Sequence, residues 1–281
     1  MLVFHPQLTH LLSVLLRPMQ RYFFEISYNG SDFHGWQIQK NGLSVQEVFD
    51  DALKVLLKAQ APSVGCGRTD TGVHALQFYV HSDIPQRIQN PAKTIAQLNS
   101  ILPEHISVKV LHEVEQSAHA RFDASQRTYL YFIHFQKNAF LSDRSFLLRQ
   151  SVNVDDMNKA CTTLIGQKDF SCFSKSNTQT KTNICTITQA HWKSYSNGLV
   201  FTISADRFLR NMVRAIVGTC LDIGKGKHES QWMKQLIASK NRSKAGRSVP
   251  AHALYLSSVD YPYILKTKKS KAVEQWMPVL V

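Results

Sequence analysis

The sequence has few acidic side chains for its length. Its 281 residues include 20 Asp and Glu against 33 Lys and Arg, which leaves a formal net charge of +13. An excess of this size favours a polyanionic partner over a protein that merely avoids its isoelectric point. Nucleic acid and an anionic membrane surface are the two partners that the charge leaves open.

Cysteine pairs and long apolar runs are also missing. The cysteines are odd in number and widely spaced, and no C-x-x-C pair occurs among Cys66, Cys161, Cys172, Cys185 and Cys220. We therefore expect neither a metal site nor a disulfide framework, and we expect a reducing, cytoplasmic environment. No run of about 18 apolar residues is present, so no membrane span is expected.

The two ends of the chain differ from the sequence between them. Residues 1–18 are apolar, but they lack the basic start and the small-residue cleavage site of a signal peptide. A strand-like pattern begins directly after Met19. We expect residues 1–19 to be a disordered extension or to precede the true start. We expect residues 266–281, which contain several lysines, to form a basic tail.

Apolar periodicity predicts alternating strands and helices along the rest of the chain. A capping box of Ser44 and Glu47 predicts the start of the first helix. Further helices are predicted at 91–101, 155–166 and 206–224, and strands at 21–28, 73–81, 106–114, 127–135 and 198–205. A similar order recurs in each half, so we expect an α+β fold of two units, at residues 20–115 and 116–265.

The predicted helix at 206–224 carries three arginines. At 100° per residue, Arg207, Arg210 and Arg214 fall within about 60° of one another, opposite an apolar face. A solvated charged face would usually mix in acidic residues and lysines. We therefore expect this arginine stripe to face an anion.

The stretch GRTDTG, residues 67–72, admits two interpretations from its residues alone. The first is a turn in which Asp70 caps backbone amides while Arg68 points to solvent. The second takes DTG as the tripeptide of aspartic proteases, which need two carboxylates that share one proton. The chain has no second copy, and the neighbouring Arg68 would keep Asp70 ionised and oppose proton sharing.

A third interpretation comes from a resemblance. GCGRTDTGVHA resembles the G-R-T-D-A-G-V-H-A signature of the tRNA pseudouridine synthase A family, with Thr71 in place of the usual alanine. Four further blocks match in order: YNGSDFHGWQIQ with SVQEVFDDAL, HARFDASQRTYLYFI, FLRNMVRAIVG and ALYLSSVDYP. Together they cover residues 21–262. Ala253 stands where the family commonly has glycine.

The resemblance implies that the chain isomerises uridine to pseudouridine in the anticodon arm of tRNA, at positions 38, 39 and 40. It implies no cofactor and no metal, and a homodimer as the working unit. The implied fold has two ferredoxin-like halves with joined, mainly antiparallel sheets and a central cleft, the pseudouridine synthase fold. A non-catalytic RNA-binding module on the same scaffold is the alternative from another class.

Roles follow from the resemblance, residue by residue. Asp70 matches the catalytic aspartate, which could act on the base or on the sugar, and Arg214 matches its salt-bridge partner. Arg68 would help to displace the target base and Tyr129 would stack on it, while Leu254 would pack beside the pocket. His74 and His81 are given no role. The other expected contacts, to the RNA backbone, are Arg207, Arg210, Lys225, Lys227, Arg242, Lys244 and Arg247.

Overall fold

The computed structural model describes residues 19–175 and 181–264, so the predicted N-terminal extension (apart from Met19) and the basic tail lie outside the described residues. These residues form ten strands and five α-helices. The strands are β1 (Gln20–Tyr28), β2 (Ser63–Gly65), β3 (His74–Ile84), β4 (Ile106–Glu113), β5 (Gln126–His134), β6 (Phe146–Leu147), β7 (Gly166–Asp169), β8 (Ile184–Tyr195), β9 (Gly198–Ala205) and β10 (Leu254–Asp260). The helices are α1 (Val45–Leu57), α2 (Pro91–Ile101), α3 (Val154–Thr162), α4 (Met212–Gly224) and α5 (Trp232–Ser239).

Local signals fix the first two helices. The Ser44 side chain accepts a hydrogen bond from the backbone N–H of Glu47 at 3.2 Å, which confirms the predicted cap of α1. Asn90 caps α2 in the same way, and Pro91 occupies its first turn, where the missing N–H costs nothing. The apolar faces of both helices pack on the sheet.

The strands form one sheet in the order β4-β1-β3-β10-β5-β9-β8-β7. Within β1–β4 the neighbours run β4-β1-β3-β2, with two helices in the connections. The strands β10-β5-β9-β8 repeat that arrangement, again with helices after the first and third strands in sequence. Both groups therefore have the β-α-β-β-α-β topology of ferredoxin-like units, and the predicted fold class is confirmed.

The two groups meet along β3 and β10. These strands pair in parallel, with Tyr255 opposite His74 and Leu256 opposite Ala75, whereas almost all other pairs are antiparallel. The pairing covers only the start of β3, because β2 pairs with its later part, at Val80–Ser82. The sheet is thus continuous across the predicted boundary at residue 115. Each group keeps its own apolar core.

The long arginine helix is shorter than predicted. Helix α4 begins at Met212, because Asn211 takes a left-handed conformation with φ of 65°. Upstream, the Asp206 carboxylate accepts from the backbone N–H groups of Thr186 and Arg207, which holds the chain against β8. The prediction that Arg207 and Arg210 share a helix face with Arg214 is therefore wrong. We call residues 206–211 the arginine segment.

Other elements also differ from the predictions. Helix α3 ends at Thr162 rather than residue 166, since Gly166 adopts a positive φ of 96° and opens β7. Helix α5 and the strands β2, β6, β7, β8 and β10 were not predicted. Polar residues are spread along β8, where Trp192 and two other residues are buried, so the strand shows no clear alternation.

Candidate active site

Asp70 lies on a turn at the junction of the two groups of strands. The turn, residues 67–73, connects the end of β2 to the start of β3. The start of β3 pairs with β10, whereas its later part pairs with β2. The backbone N–H of Val73 closes the turn onto the carbonyl of Asp70 at 3.1 Å. Gly72 provides the positive φ of 77° that the turn requires. We call it the Asp70 turn.

The loop between β1 and α1 supports this turn from behind. The Thr69 carbonyl accepts from the N–H of Trp36, and the Thr69 hydroxyl hydrogen-bonds that of Tyr28 at 2.9 Å. A Cβ on Gly35 would lie 2.4 Å from the Thr69 carbonyl oxygen, so only glycine permits this approach. The backbone on either side of Asp70 is therefore fixed before any substrate arrives.

Two arginines flank the Asp70 carboxylate. Arg214 Nη1 lies 3.5 Å from one oxygen and Arg210 Nε lies 3.9 Å from the other. Arg214 comes from α4, and its Nε donates to the carbonyl of Val249 at 2.7 Å, which aims the guanidinium at the turn. The Asp70 side chain remains about one-third exposed (31%). The carboxylate is thus paired with two cations and still open to a ligand. In the turn-cap interpretation, by contrast, backbone amides would donate the hydrogen bonds to this carboxylate.

Tyr129 and Leu254 lie on adjacent strands beside the carboxylate. Tyr129 is on β5 and packs edge-on against Phe208 at 5.2 Å between ring centroids. Burial raises the pKa of Tyr129, and the nearby Cys66 and Asp70 add to this effect. Leu254 begins β10 and is buried in the core against which Tyr129 packs. The structure therefore brings Asp70, Tyr129 and Leu254 into one region.

Arg68, two residues before Asp70 in the Asp70 turn, is exposed to solvent. Partial burial lowers the pKa of the nearby Arg121, and the positive charges of Arg68, Arg127 and Arg207 lower it further. Like charges gathered in this way favour an anionic ligand.

Arg127 holds these segments together, and the sequence analysis missed it. Its guanidinium donates to four carbonyl oxygens, at distances of 2.7 to 3.0 Å: those of Cys66, Arg121, Ala124 and Asp206. The Asp70 turn, the connection before β5 and the arginine segment are thereby tied to one side chain. Its position two residues before Tyr129 was the one available signal.

Of the five remaining predicted RNA contacts, three line a groove beside α4 and two lie after α5. Lys225, Lys227 and Arg247 line a groove of about 450 Å³ on the side of α4. Lys227 is paired with Asp222 at 2.7 Å. Lys244 is exposed nearby, whereas Arg242 donates to Ser248 and to the carbonyl of Gly246, so it holds its own loop.

The two histidines of β3 are bound to backbone groups. His74 Nδ1 accepts from the N–H of Gly30 at 3.0 Å, and its Nε2 donates to the carbonyl of His252 at 2.8 Å. His81 Nδ1 accepts from the N–H of Ala120. Among residues 19–175 and 181–264, no three His, Cys, Asp or Glu side chains form a metal-binding group. Within the same residues, no helix is long and apolar enough to cross a bilayer.

Comparison with known proteins bears on this site directly. A family model described as tRNA pseudouridine synthase matches residues 160–262. The proteins named tRNA pseudouridine synthase A from Parabacteroides distasonis and Bacteroides fragilis are 46% and 45% identical to the chain. Each match spans 87% of the chain and 97% of the relative. The Bacillus subtilis protein of the same name is 39% identical over 84% of the chain and 97% of its own length.

The chain belongs to the tRNA pseudouridine synthase A family. The match to relatives extends over both groups of strands, so the Asp70 turn and the arginine segment both lie within family sequence. The resemblance first noted in the motif GRTDTG is thus confirmed for the chain as a whole.

Proposed function

We propose that Asp70 is the catalytic residue of a tRNA pseudouridine synthase that acts on the anticodon arm. Family membership supports the conversion of uridine to pseudouridine in tRNA. The observation that supports the role of Asp70 is its carboxylate, held between Arg210 and Arg214 beside Tyr129 and still open to a ligand. The positions, 38, 39 and 40, rest on the resemblance.

The reaction is an isomerisation that needs no added group. The N1–C1′ bond breaks, the uracil turns over, and C5 bonds to C1′ while C5 loses a proton and N1 gains one. Two guanidinium groups flank Asp70, whose carboxylate would attack the base or the sugar, or take a sugar proton. Leu254 keeps bulk water from the reacting sugar.

The target base must leave its stack before the carboxylate can reach C1′. Extrusion costs a few kcal/mol, and stacking on an aromatic ring returns about 1–3 kcal/mol. Tyr129 is the ring placed to receive the base, beside Asp70. Arg68, exposed two residues before Asp70, would hold the displaced strand or its phosphate.

The basic groups fit a large anionic substrate. The arginine segment and Arg68 supply charge near Asp70, and the groove formed by Lys225, Lys227 and Arg247 supplies charge along α4. We propose that these groups contact the tRNA backbone and that the chain works as a homodimer in which one tRNA touches both subunits. Phosphate contacts of this kind give affinity, while the shape of the stem-loop selects the site.

Incubation with an unmodified tRNA transcript tests the proposal. Pseudouridine mapped by carbodiimide block or mass spectrometry should appear at positions 38–40 and nowhere else. Transcripts with cytidine at all three positions should bind equally well and yield no product. Binding without pseudouridine in the uridine transcript would instead identify a non-catalytic RNA-binding module.

A further inference from the structure

A phenylalanine stands in solvent next to the proposed cleft. Phe122 is 75% exposed, on the connection between β4 and β5. The His119 ring lies 4.3 Å from its centroid, and the Arg121 guanidinium carbon lies 5.8 Å from it. An exposed ring beside a cation is the combination on which unpaired nucleotides stack.

The exposure of Phe122 is built into the turn that carries it. The Asp123 carboxylate accepts from the N–H of His119 at 2.7 Å and from the Tyr263 hydroxyl at 2.8 Å. His119 Nδ1 in turn accepts from the N–H groups of Arg121 and Phe122. We call residues 119–123 the Phe122 turn. Hydrogen bonds hold its backbone in place while the ring stays 75% exposed, which lowers the ordering cost of binding.

Arg127 fixes the Phe122 turn against the cleft. One Arg127 nitrogen donates both to the Arg121 carbonyl at 2.7 Å and to the Cys66 carbonyl at 2.9 Å. Cys66 directly precedes the Asp70 turn. The other nitrogen reaches the carbonyl of Asp206, at the start of the arginine segment. Through Arg127, the Phe122 turn is therefore tied to both segments that carry the proposed catalytic groups.

We propose that the Phe122 turn binds a nucleotide adjacent to the target uridine, with its base on the Phe122 ring and its phosphate near Arg121. Extrusion of the uridine leaves a neighbouring base without a stacking partner, and Phe122 offers one. Arg121 lies beside the ring, and the charges of Arg68, Arg127 and Arg207 lie close enough to act on Arg121, so this positive cluster complements a phosphate backbone. The identification of that RNA as tRNA rests on the proposed function.

Phe122→Ala tests the stacking, with binding and turnover measured on the same unmodified tRNA transcript. We expect affinity to fall about 5- to 150-fold, the loss of one base–aromatic stack, at an unchanged melting temperature. Phe122→Tyr should restore most of it. Removal of a ring takes away no charge, so the dependence of affinity on salt should stay as in the wild type, whereas Arg121→Ala should lower the salt slope by about one.

Abasic transcripts identify the partner nucleotide. In the wild type, an abasic site at the nucleotide that stacks on Phe122 should lower tRNA affinity as much as the substitution Phe122→Ala does. In the Phe122→Ala variant, the same abasic site should lower tRNA affinity little further. Phe140→Ala is the matched control, because Phe140 is 83% exposed on another loop, at 139–141. It should leave both readouts unchanged.

Two results would overturn the inference. One is a Phe122→Ala variant whose tRNA affinity and kcat/KM equal those of the wild type. The other is unchanged RNA binding with an altered sedimentation profile, which would make the ring a contact between subunits. The proposed function fails on a different result, namely a wild-type protein that forms no pseudouridine. Such a protein could still bind tRNA less tightly after the substitution Phe122→Ala, so the two failures are distinguishable.

Discussion

Asp70 illustrates how neighbouring residues set the chemistry of one side chain. Its carboxylate lies between Arg210 and Arg214, and one-third of the side chain stays accessible. The same pairing argues against the aspartic protease interpretation of DTG. A protease carboxylate must share a proton with a second carboxylate, whereas the charged groups that flank Asp70 are two guanidinium groups, at 3.5 and 3.9 Å.

His81 provides a test of residue-scale electrostatics away from the site. The side chain is 4% exposed, and burial, with the charge of Arg21 next, lowers the pKa of His81 to about 4. The unfolded chain, with a histidine pKa near 6.5, binds the proton first as the pH falls. The free energy of unfolding should therefore decrease between about pH 6.5 and 4, by at most about 3 kcal/mol from this group.

His81→Gln should remove that contribution while keeping an acceptor for the N–H of Ala120. Urea denaturation at pH 7 and pH 4.5 measures it. We expect the variant to lose less stability than the wild type on going to the lower pH. An equal loss in both proteins would contradict the assignment.

At the scale of elements, the sequence predicted what short-range patterns control. The capped helix α1, the helix at 91–101 and the strand at 198–205 were predicted closely, because caps, proline and alternation act locally. The start of α4 was not predicted, because the apolar spacing typical of a helix continues upstream of Asn211. In the structure, long-range hydrogen bonds to β8 and Arg127 keep that upstream segment from becoming helical.

The candidate site divides in the same way. Motif resemblance pointed to Asp70, Tyr129, Arg214 and Leu254, and the structure brings them together. Arg127 and Phe122 escaped notice, because their importance depends on carbonyl groups and charges from distant segments. No spacing along the chain reveals that one guanidinium spans four carbonyl groups.

Gly218 tests how α4 is positioned. A Cβ there would lie 1.9 Å from the carbonyl oxygen of Arg247, in the segment whose Val249 holds Arg214. Backbone cannot yield as a flexible side chain does, so Gly218→Ala should lower the free energy of unfolding by more than about 2 kcal/mol. Activity should fall with it.

Gly67→Ala is the control for this substitution in a denaturation experiment. Beyond Gly67 and its two chain neighbours, no atom of residues 19–175 and 181–264 lies within 4 Å of a Cβ built at Gly67, so stability should change by less than about 1 kcal/mol. Equal stability of the wild type and Gly218→Ala would show that α4 can move away from the 246–249 segment.

On the scale of the whole molecule, two ferredoxin-like units share one sheet, and the proposed active centre lies where they join. Asp70 comes from the first unit and Arg210, Arg214 and Tyr129 from the second. The net charge of +13 is concentrated in part around this junction. We propose that the arginines that pair with the Asp70 carboxylate also attract the RNA over a longer range.

The double variant Arg207→Ala/Arg210→Ala tests that dual use. Loss of two phosphate contacts should weaken tRNA binding and lower the slope of log affinity against log salt by about two. Filter binding between 50 and 200 mM salt (about the range over which such slopes are read) measures it. Lys54→Ala/Lys93→Ala, on exposed positions of α1 and α2, is the matched control. Equal slopes for the wild type and the arginine variant would place the arginine segment away from the RNA.

Asp70→Asn provides the most direct measurement of the central claim. The substitution keeps the size of the side chain and removes the charge that the reaction requires. We expect tRNA affinity within several-fold of the wild type and no detectable pseudouridine in single-turnover assays, while Asp51→Asn, an exposed change on α1, keeps the wild-type rate. Pseudouridine formation by Asp70→Asn at a rate near that of the wild type would contradict the assignment of Asp70 as the catalytic residue.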